Sequence, residues 1–432
     1  METRRIERAK NGLVGEIQIP GDKSISHRSV MLAGIGDGAT HITHFLRAQD
    51  CLSTVAAMRQ LGVGIQENDD GSLDVTGVGL HGLTEPAGVL DAGDSGTTLR
   101  LMLGLLAPQP FLSVFTGDAL LHKRPMGRVI TPLSQMGARL AGRQQNKYLP
   151  IAVLPAQQPL HGIIYPMPVA SAQVKSAILL AGLRAEGETT VVEPVVSRDH
   201  TERMLEAFGV RLLRKDTSVT IKAPKQLVSP ETIDVPGDIS SAAFWLVAAS
   251  VIPQSDLLLR NVGVNPTRTG VLDVLRDMGA DIAVLNERVS GGEPAADLRV
   301  RSAKLRGVSF GAEIMPRLID EIPVIAVAAL FADGDTEITG AGELRVKETD
   351  RIRAVAEEFR KLAPNVEELA DGLLIHGGAR LQAARCASYD DHRIAMALAI
   401  AGAAGDGVEI EGPGCVDISY PAFYRTLEEI RR

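Results

Sequence analysis

The stretch GDKSISHRSVMLAG, Gly21 to Gly34, begins with a lysine, serines, a histidine and an arginine and continues as an apolar, small-residue helix. Each of five further segments is likewise a polar cluster that leads into such a helix: GDSGTTLRLMLGLL from Gly93, ASAQVKSAILLAGL from Ala170, GDISSAAFWLVAAS from Gly237, LIDEIPVIAVAALF from Leu318 and YDDHRIAMALAIAG from Tyr389. A segment rich in β-branched residues and then an amphipathic helix follow each one, a pattern typical of strand and surface helix. The sequence therefore predicts an α/β protein built from six repeated units.

Six units divide most simply into two lobes of three. Pro-Gly-Asp precedes the first unit in IQIPGD and the fourth in IDVPGD. We therefore expect one lobe over residues 20–235 and the other over residues 1–19 and 236–432, with the N-terminal strand GLVGEIQI pairing in the latter. Two lobes joined by two strands could close like a hinge.

Composition excludes several classes of protein. A formal net charge of -8 argues against a general nucleic-acid surface, so any cationic site must be local. The three cysteines, Cys51, Cys386 and Cys415, are far apart and not in metal-ligand spacing, which favours a reducing compartment and no zinc. The N-terminus lacks a signal-peptide pattern, and the longest apolar runs are too short to cross a bilayer. We expect a cytoplasmic protein.

The helix starts carry the chemistry. The first turn of a helix attracts anions, because its N–H groups are unpaired and the helix dipole is positive there. The starts of the first helices add Lys23, Ser24, Arg28, Ser95, Arg100, Ser171, Gln173, Lys175, His392 and Arg393, and those of the second helices add Lys123, Arg124, Arg128, Arg198, Arg268, Arg345, Lys347 and Arg351. If starts from both lobes face one cleft, that cleft would bind multiply anionic small molecules.

Ordinary structural roles compete with this interpretation. The serines could simply be helix N-caps, and Arg351 could pair with neighbouring charges on its own helix. Asp320 and Glu348 could form local salt bridges or could donate and accept protons in a closed cationic cleft. The sequence has no GxxxxGK[ST] or His-Glu-x-x-His motif, and GVGLHG at Gly77 is not followed by a helix. The pattern favours an enzyme that works by acid and base residues without a cofactor.

Seven ordered motifs between about Pro20 and Pro421 carry a family resemblance: GDKSISHR, GDSGTTLRL, KRPMGRV, SAQVKSA, RDHTERM, RVKETDRI and DDHRIAMA. Together they resemble the 5-enolpyruvylshikimate-3-phosphate synthase family, in its second class. The resemblance implies the two-lobed enolpyruvyl transferase fold, an inside-out α/β barrel with three repeats per lobe. It also implies transfer of the enolpyruvyl group of phosphoenolpyruvate to the 5-hydroxyl of shikimate 3-phosphate, with no cofactor and no metal.

The resemblance also implies residue roles. The residues expected to bind shikimate 3-phosphate are Lys23, Ser24, Arg28, Ser171, Ala172, Gln173, Arg198, Asp320 and Lys347. Those expected to bind phosphoenolpyruvate are Lys23, Gly96, Arg124, Gln173, Arg351 and Arg393. Lys23, Asp320, Lys347 and Glu348 are the expected catalytic residues: Glu348 with Lys23 would protonate the methylene carbon, and Asp320 helped by Lys347 would deprotonate the 5-hydroxyl.

Some positions depart from the family pattern. Asp94 and Glu343 stand where an asparagine is frequent, and Ile418 stands where many members have a late lysine, which the second class commonly lacks. Gly96 leaves room for the inhibitor glyphosate, so we expect at least partial sensitivity. We also expect a monomer, because each repeat face is used in internal packing.

Two alternatives remain open. A UDP-N-acetylglucosamine enolpyruvyl transferase shares the fold and the donor, but usually has Lys-Asn at the position of Lys23-Ser24 and a reactive cysteine near Lys123, where this chain has none. A non-catalytic anion-binding scaffold would keep the cationic helix starts without needing Asp320 and Glu348.

Overall fold

The computed structural model describes residues 2–431, which form two compact units. Unit A comprises Gly21–Pro236 and the short segment Val289–Glu293. Unit B comprises the described residues up to Pro20, Gly237–Arg288, and the described residues from Pro294 onward. From the sequence we expected residues 289–293 in the lobe of residues 1–19 and 236–432. They group with unit A instead, because the hydroxyl of Ser290 donates to the carbonyl of Asp234 at 2.8 Å and Glu293 pairs with His200.

The six predicted repeats are confirmed, three in each unit. In every repeat the strand that follows the first helix has a parallel neighbour. Parallel neighbours need a crossover, and in four repeats the first helix supplies it. In the repeats that begin at Gly21 and Gly237, the parallel neighbours are Thr232–Asp234 and Val14–Gln18, which are distant in the sequence. A second helix follows, and an antiparallel strand completes the sheet on the other side.

Unit A contains three four-stranded sheets. Their strands, in order across each sheet, are Thr232–Asp234, Ala39–Thr43, Leu73–Thr76 and Gly64–Glu67; Leu90–Asp91, Ser113–Thr116, Tyr148–Val153 and Leu140–Gly142; and Ile164–Pro166, Glu188–Val192, Ser218–Lys222 and Leu212–Lys215. The two-residue strands Leu160–His161 and Ala185–Glu186 form a further pair. The helices are Lys23–Ile35, Gln49–Gln60, Gly96–Leu106, Gly127–Gln135, Ala172–Gly182 and His200–Ala207, with shorter turns at Leu121–Lys123 and Arg143–Asn146.

Unit B repeats this plan with both ends of the chain. Its sheets, in order, are Val14–Gln18, Asp256–Gly263, Glu293–Arg301 and Asp281–Ser290; Ser309–Phe310, Asp335–Ile338, Leu373–His376 and Val366–Glu368; and Thr3–Ile6, Val408–Glu411 and Ala384–Ala387. Its helices are Ile239–Val251, Gly270–Asp277, Met315–Leu318, Ile322–Phe331, Arg351–Leu362, His392–Ala404 and Phe423–Glu429, with 3-10 turns at Ile319–Glu321, Gly342–Val346 and Pro413–Ile418.

The first helices of the repeats form the core of each unit. Nearly every residue of Gly96–Leu106 and Ala172–Gly182 is buried, and the two helices pack closely together. A Cβ on Gly104 would lie 2.2 Å from the carbonyl oxygen of Ala177, so only glycine fits at this contact. The small residues that make the sequence pattern recognisable therefore allow the helices to approach, which brings their polar first turns together.

Four of the second helices are each followed by a glycine in a left-handed conformation. Gly62, Gly137, Gly209 and Gly279, which follow second helices, all have positive φ values, and a left-handed glycine cap stops a helix.

Candidate active site

The first helices of unit A begin at caps. The side chain of Asp22 accepts from the backbone N–H of Ile25 at 2.9 Å, and Ser95 accepts from that of Thr98 at 3.1 Å. Ser171 accepts from the N–H of Val174 at 3.4 Å. The capping alternative is thus correct for Ser95 and Ser171, whereas Ser24 lies inside the first turn of a helix that Asp22 caps.

Arg28 joins three helices of unit A. Its guanidinium donates to the hydroxyl of Thr201 at 2.7 Å, the hydroxyl of Ser176 at 2.8 Å and the carbonyl of Ser24 at 2.9 Å. Burial lowers the pKa of Arg28 to about 10, which still leaves it charged at neutral pH. Its hydrogen-bond partners are all neutral, and the carboxylates of Glu202, Asp22 and Glu293 favour its charge without bonding it.

A second set of contacts surrounds Gly96. Arg100 donates to the side-chain oxygen of Gln173, whose amide donates to the hydroxyl of Thr97 at 3.1 Å. A Cβ on Gly96 would lie 3.2 Å from a terminal nitrogen of Arg100 and 3.2 Å from one of Arg124. Two arginines therefore converge on a helix start that has no side chain in the way.

Lys23 lies beside Asp50, with about a quarter of its side chain exposed. The next turn of the same helix places His27 in the core, where Nδ1 bonds the hydroxyl of Thr54 at 2.7 Å. The Thr54 hydroxyl in turn bonds that of Thr98 at 2.7 Å. Burial lowers the pKa of His27 to about 3, so the ring is neutral at neutral pH and acts as a fixed link between helices.

Lys175 does not face an anion site, contrary to the sequence interpretation. Its side chain is 1% exposed and pairs with Glu193 at 2.8 Å and Glu202 at 2.7 Å. Burial opposes the charge of Lys175, but the two carboxylates outweigh burial and raise its pKa. Lys175 is thus a buried internal cation. Of the remaining predicted residues of unit A, Ala172 and Arg198 are half-buried at the starts of the segments that carry Gln173 and Thr201, whereas Lys123 and Arg128 are exposed.

Asp320 is the centre of the charged group in unit B. Its Oδ1 lies 3.4 Å from the ammonium of Lys347 and 3.4 Å from a terminal nitrogen of Arg351. The guanidinium of Arg393 donates to the backbone carbonyl of Asp320 at 3.1 Å. Three predicted cations therefore meet at one predicted acidic residue, two at its carboxylate and one at its backbone carbonyl, on the 3-10 turn just before the helix Ile322–Phe331.

Arg351 links the carboxylates of this group. Besides Asp320, it donates to Glu348 at 2.7 Å and to Asp391 at 2.8 Å, and its side chain is 1% exposed. Burial opposes its charge, but Asp391, Glu348 and Asp320 more than compensate and raise the pKa of Arg351. Asp320 and Glu348 therefore do form the local salt bridges that were the structural alternative. Within these contacts, 23% of the Glu348 side chain is exposed.

Sequence reasoning missed two buried carboxylates of unit B. Asp391 caps the helix His392–Ala404 through the N–H of Arg393 at 2.9 Å while it binds Arg351. Glu321 accepts from the hydroxyl of Ser240. An acidic residue immediately before a helix start, as in DDHR, was the available signal for Asp391; nothing local distinguishes Glu321.

Two predicted cations of unit B have structural partners. Arg268 is buried and donates to Ser240 at 2.6 Å, and Arg345 pairs with Asp350 and Glu368 at 2.9 Å each. His392, the neighbour of Arg393, is buried, and burial lowers its pKa to about 4. Ile418 ends the 3-10 turn Pro413–Ile418.

Residues 2–431 contain no group of three or more His, Cys, Asp or Glu side chains arranged to hold a metal ion. Over the same range, no helix combines the length and the apolarity that a membrane span requires.

Solved structures with this architecture define its class. Two structures of EPSP synthase from Acinetobacter baumannii are 42% identical to this chain, with TM-scores of 0.91 and 0.90. The first covers 100% of this chain and 98% of its own, and the second covers 99% and 98%. Together with the six repeats, they place the protein in the enolpyruvyl transferase class, with its two-domain, inside-out α/β fold.

The family itself follows from the sequence comparisons. The family model described as EPSP synthase (3-phosphoshikimate 1-carboxyvinyltransferase) matches residues 8–427. Proteins named 3-phosphoshikimate 1-carboxyvinyltransferase from Gloeobacter violaceus and Desulforudis audaxviator are 56% and 55% identical, each over 97% of this chain and 97% of the relative. The chain belongs to the EPSP synthase family, which confirms the resemblance carried by its seven motifs.

Proposed function

We propose that this chain transfers the enolpyruvyl group of phosphoenolpyruvate to the 5-hydroxyl of shikimate 3-phosphate and releases phosphate. The observation that carries the proposal is membership of the EPSP synthase family over nearly the whole chain. The contacts of Asp320 with Lys347 and Arg351 add support, because they gather acid, base and cation in one group.

The phosphate and carboxylate groups of the two substrates account for the lysine and arginine side chains of the proposed site. Each substrate has a phosphate and a carboxylate, which arginine binds with two parallel hydrogen bonds and lysine as a point charge. Lys23, Ser24, Arg28, Ser171, Ala172, Gln173, Arg198, Asp320 and Lys347 are proposed to bind shikimate 3-phosphate. Lys23, Gly96, Arg124, Gln173, Arg351 and Arg393 are proposed to bind phosphoenolpyruvate. Since Arg28 already donates to three protein groups, its proposed contact would use remaining N–H bonds of the same guanidinium.

The chemistry needs one base and one acid in the addition step. Asp320, with Lys347 at 3.4 Å, would accept the proton of the 5-hydroxyl as its oxygen bonds to C2 of phosphoenolpyruvate. Glu348, with Lys23, would give a proton to the methylene carbon, which becomes a methyl group. The tetrahedral adduct then loses phosphate by cleavage of the bond between C2 and the phosphate oxygen. The methyl group returns its proton to Glu348, which restores the methylene group. No electron transfer is involved, so the balance requires no redox cofactor.

A UDP-N-acetylglucosamine enolpyruvyl transferase is disfavoured by the family match. The cysteine chemistry also differs: burial raises the pKa of Cys386 to about 12 and that of Cys415 to about 11, which disfavours the reactive thiolate form.

A phosphate-release assay tests the proposal directly. The purified protein with phosphoenolpyruvate should release phosphate when shikimate 3-phosphate is added and should not respond to UDP-N-acetylglucosamine. If phosphoenolpyruvate gives phosphate with UDP-N-acetylglucosamine and not with shikimate 3-phosphate, the chain is a UDP-N-acetylglucosamine enolpyruvyl transferase. If neither acceptor gives phosphate release, an anion-binding scaffold is favoured. A monomeric state and a cytoplasmic location stay predictions, and gel filtration with light scattering tests the first.

A further inference from the structure

The loop of residues 193–199 is held at both ends by a buried charge cluster that consists of Lys175, Glu193 and Glu202. The ammonium of Lys175 donates to Glu193 at 2.8 Å and to the backbone carbonyl of Ser197 at 3.3 Å, and it pairs with Glu202 at 2.7 Å. These three acceptors match the three N–H bonds of an ammonium group. Both carboxylate side chains are only 4% exposed.

The same loop is closed on itself between Glu193 and Ser197, immediately before Arg198. The hydroxyl of Ser197 donates to Glu193, and the backbone N–H of Ser197 donates to the same carboxylate at 3.3 Å. Between the two anchors, Val195 and Val196 are exposed, so they add little to the stability of the loop. Arg198 is the next residue, so the anchors of Ser197 hold the backbone from which its side chain extends.

Lys175 lies one helical turn after Ser171, and its backbone N–H donates to the Ser171 carbonyl at 3.0 Å. It therefore connects the helix start that carries Ser171, Ala172 and Gln173 to the loop that carries Arg198. These are four of the residues proposed to bind shikimate 3-phosphate. The buried ammonium group helps to fix the distance between them, together with the bond between the hydroxyls of Ser176 and Thr201 at 2.7 Å.

We propose that Lys175 is a positioning residue for shikimate 3-phosphate binding: it holds Arg198 in register with the helix start Ser171–Gln173. This inference rests on the proposed function, because it assumes that Arg198 binds that substrate. Lys175 itself touches no substrate.

Kinetics of the full-length enzyme test this inference. Removal of Lys175 alone would leave two buried carboxylates facing each other and could unfold the loop. The main variant is therefore Lys175→Met combined with Glu193→Gln and Glu202→Gln, which removes all three charges and roughly keeps the volumes. Glu193→Gln alone is a milder second variant that leaves the pair of Lys175 and Glu202 intact.

We expect the KM for shikimate 3-phosphate to rise about 10- to 100-fold in the neutral triple variant, because an ångström of misplacement costs about this much. The KM for phosphoenolpyruvate should change less than about threefold, and Glu193→Gln should give a smaller change in the same direction. The matched control is Arg184→Met, which removes a cation just beyond the other end of the same helix, where it bonds Gln109 at 2.7 Å. This control should leave both KM values unchanged.

A double-mutant cycle with Arg198→Ala separates positioning from a general structural role. If Lys175 acts through Arg198, the neutral triple variant should change the KM for shikimate 3-phosphate less than about threefold once Arg198 is absent. Fully multiplicative effects, or equal increases in both KM values, would overturn the inference. If Arg198→Ala alone leaves this KM unchanged, the proposed role of Arg198 is wrong and the positioning role falls with it. If Arg198→Ala raises it and neither charge variant does, only the positioning role is wrong.

Discussion

Arg28 in unit A and Arg351 in unit B are both nearly buried arginines close to a helix start, at 5% and 1% exposure, but their partners differ. Arg28 donates to two hydroxyl groups and one carbonyl. Arg351 donates to the carboxylates of Glu348, Asp391 and Asp320.

This difference separates two chemical tasks. An arginine whose bonded partners are neutral keeps a positive field that can attract an anion. An arginine bonded to several carboxylates keeps them in fixed positions, which suits groups that exchange protons. We therefore expect substitutions in unit A to change substrate affinity and those in unit B to change turnover and stability.

The largest expected effect concerns the proton-transfer groups of unit B. Asp320→Asn and Glu348→Gln keep size and hydrogen bonding but remove the acid or base, so kcat should fall about 10²- to 10⁴-fold, with smaller changes in either KM. Steady-state phosphate release measures both parameters. Near-wild-type kcat in both variants would remove these assignments.

The two arginines themselves give the next largest effect. Arg351→Met leaves three carboxylates without their shared cation and should lower the free energy of unfolding by about 3–5 kcal/mol. Arg28→Met should cost only about 1–3 kcal/mol, because Ser176 and Thr201 can still bond each other. Urea unfolding followed by circular dichroism provides the measurement, and Arg351→Lys should recover part of the loss. Equal losses in the two methionine variants would contradict the comparison.

A buried neutral histidine in each unit predicts acid sensitivity. Burial lowers the pKa of His27 to about 3 and that of His392 to about 4, both below the ordinary value of 6.5. Below pH 6.5 the unfolded chain therefore binds more protons than the folded chain. The free energy of unfolding has its full value above that pH and decreases as the pH falls towards 4. At pH 5 the loss is about 2 kcal/mol for each histidine.

The check is the free energy of unfolding at pH 7 and pH 5. His27→Gln and His392→Gln should each lose less stability over this interval than the unsubstituted protein. Identical losses in all three would show that neither histidine is held neutral in the fold.

The smallest expected effect is at Gly96. The added methyl group of Gly96→Ala would lie 3.2 Å from terminal nitrogens of Arg100 and Arg124, whose flexible ends can shift by a few tenths of an ångström. The KM for phosphoenolpyruvate should rise about two- to tenfold, with unfolding within about 0.5 kcal/mol of the original. An unchanged KM would show that these arginines do not contribute to the binding of phosphoenolpyruvate. Inhibition by glyphosate against phosphoenolpyruvate, measured in the same assay, tests the expected sensitivity; resistance at millimolar levels would refute it.

Repetition made the fold predictable from the sequence. Six copies of a polar segment before a small-residue helix predicted the α/β pattern. Such a helix is typical of a closely packed core, and Gly104 lies at a close contact of this kind. Charge pairing was less predictable. Lys175 looked like an anion ligand because it follows SAQV, but its partners Glu193 and Glu202 come from later segments, and only the folded chain brings them together.

The strand pairing of unit B has a consequence for biosynthesis. Unit A is almost one continuous stretch, whereas Val14–Gln18 must wait for Asp256–Gly263, and Thr3–Ile6 must wait for Val408–Glu411. At typical translation rates the first strand spends roughly 20 to 80 seconds without its neighbour. An unpaired strand can associate with other nascent chains, and charged side chains oppose this. Arg4 and Arg5, half of the strand TRRI, supply that protection until the sheet is complete.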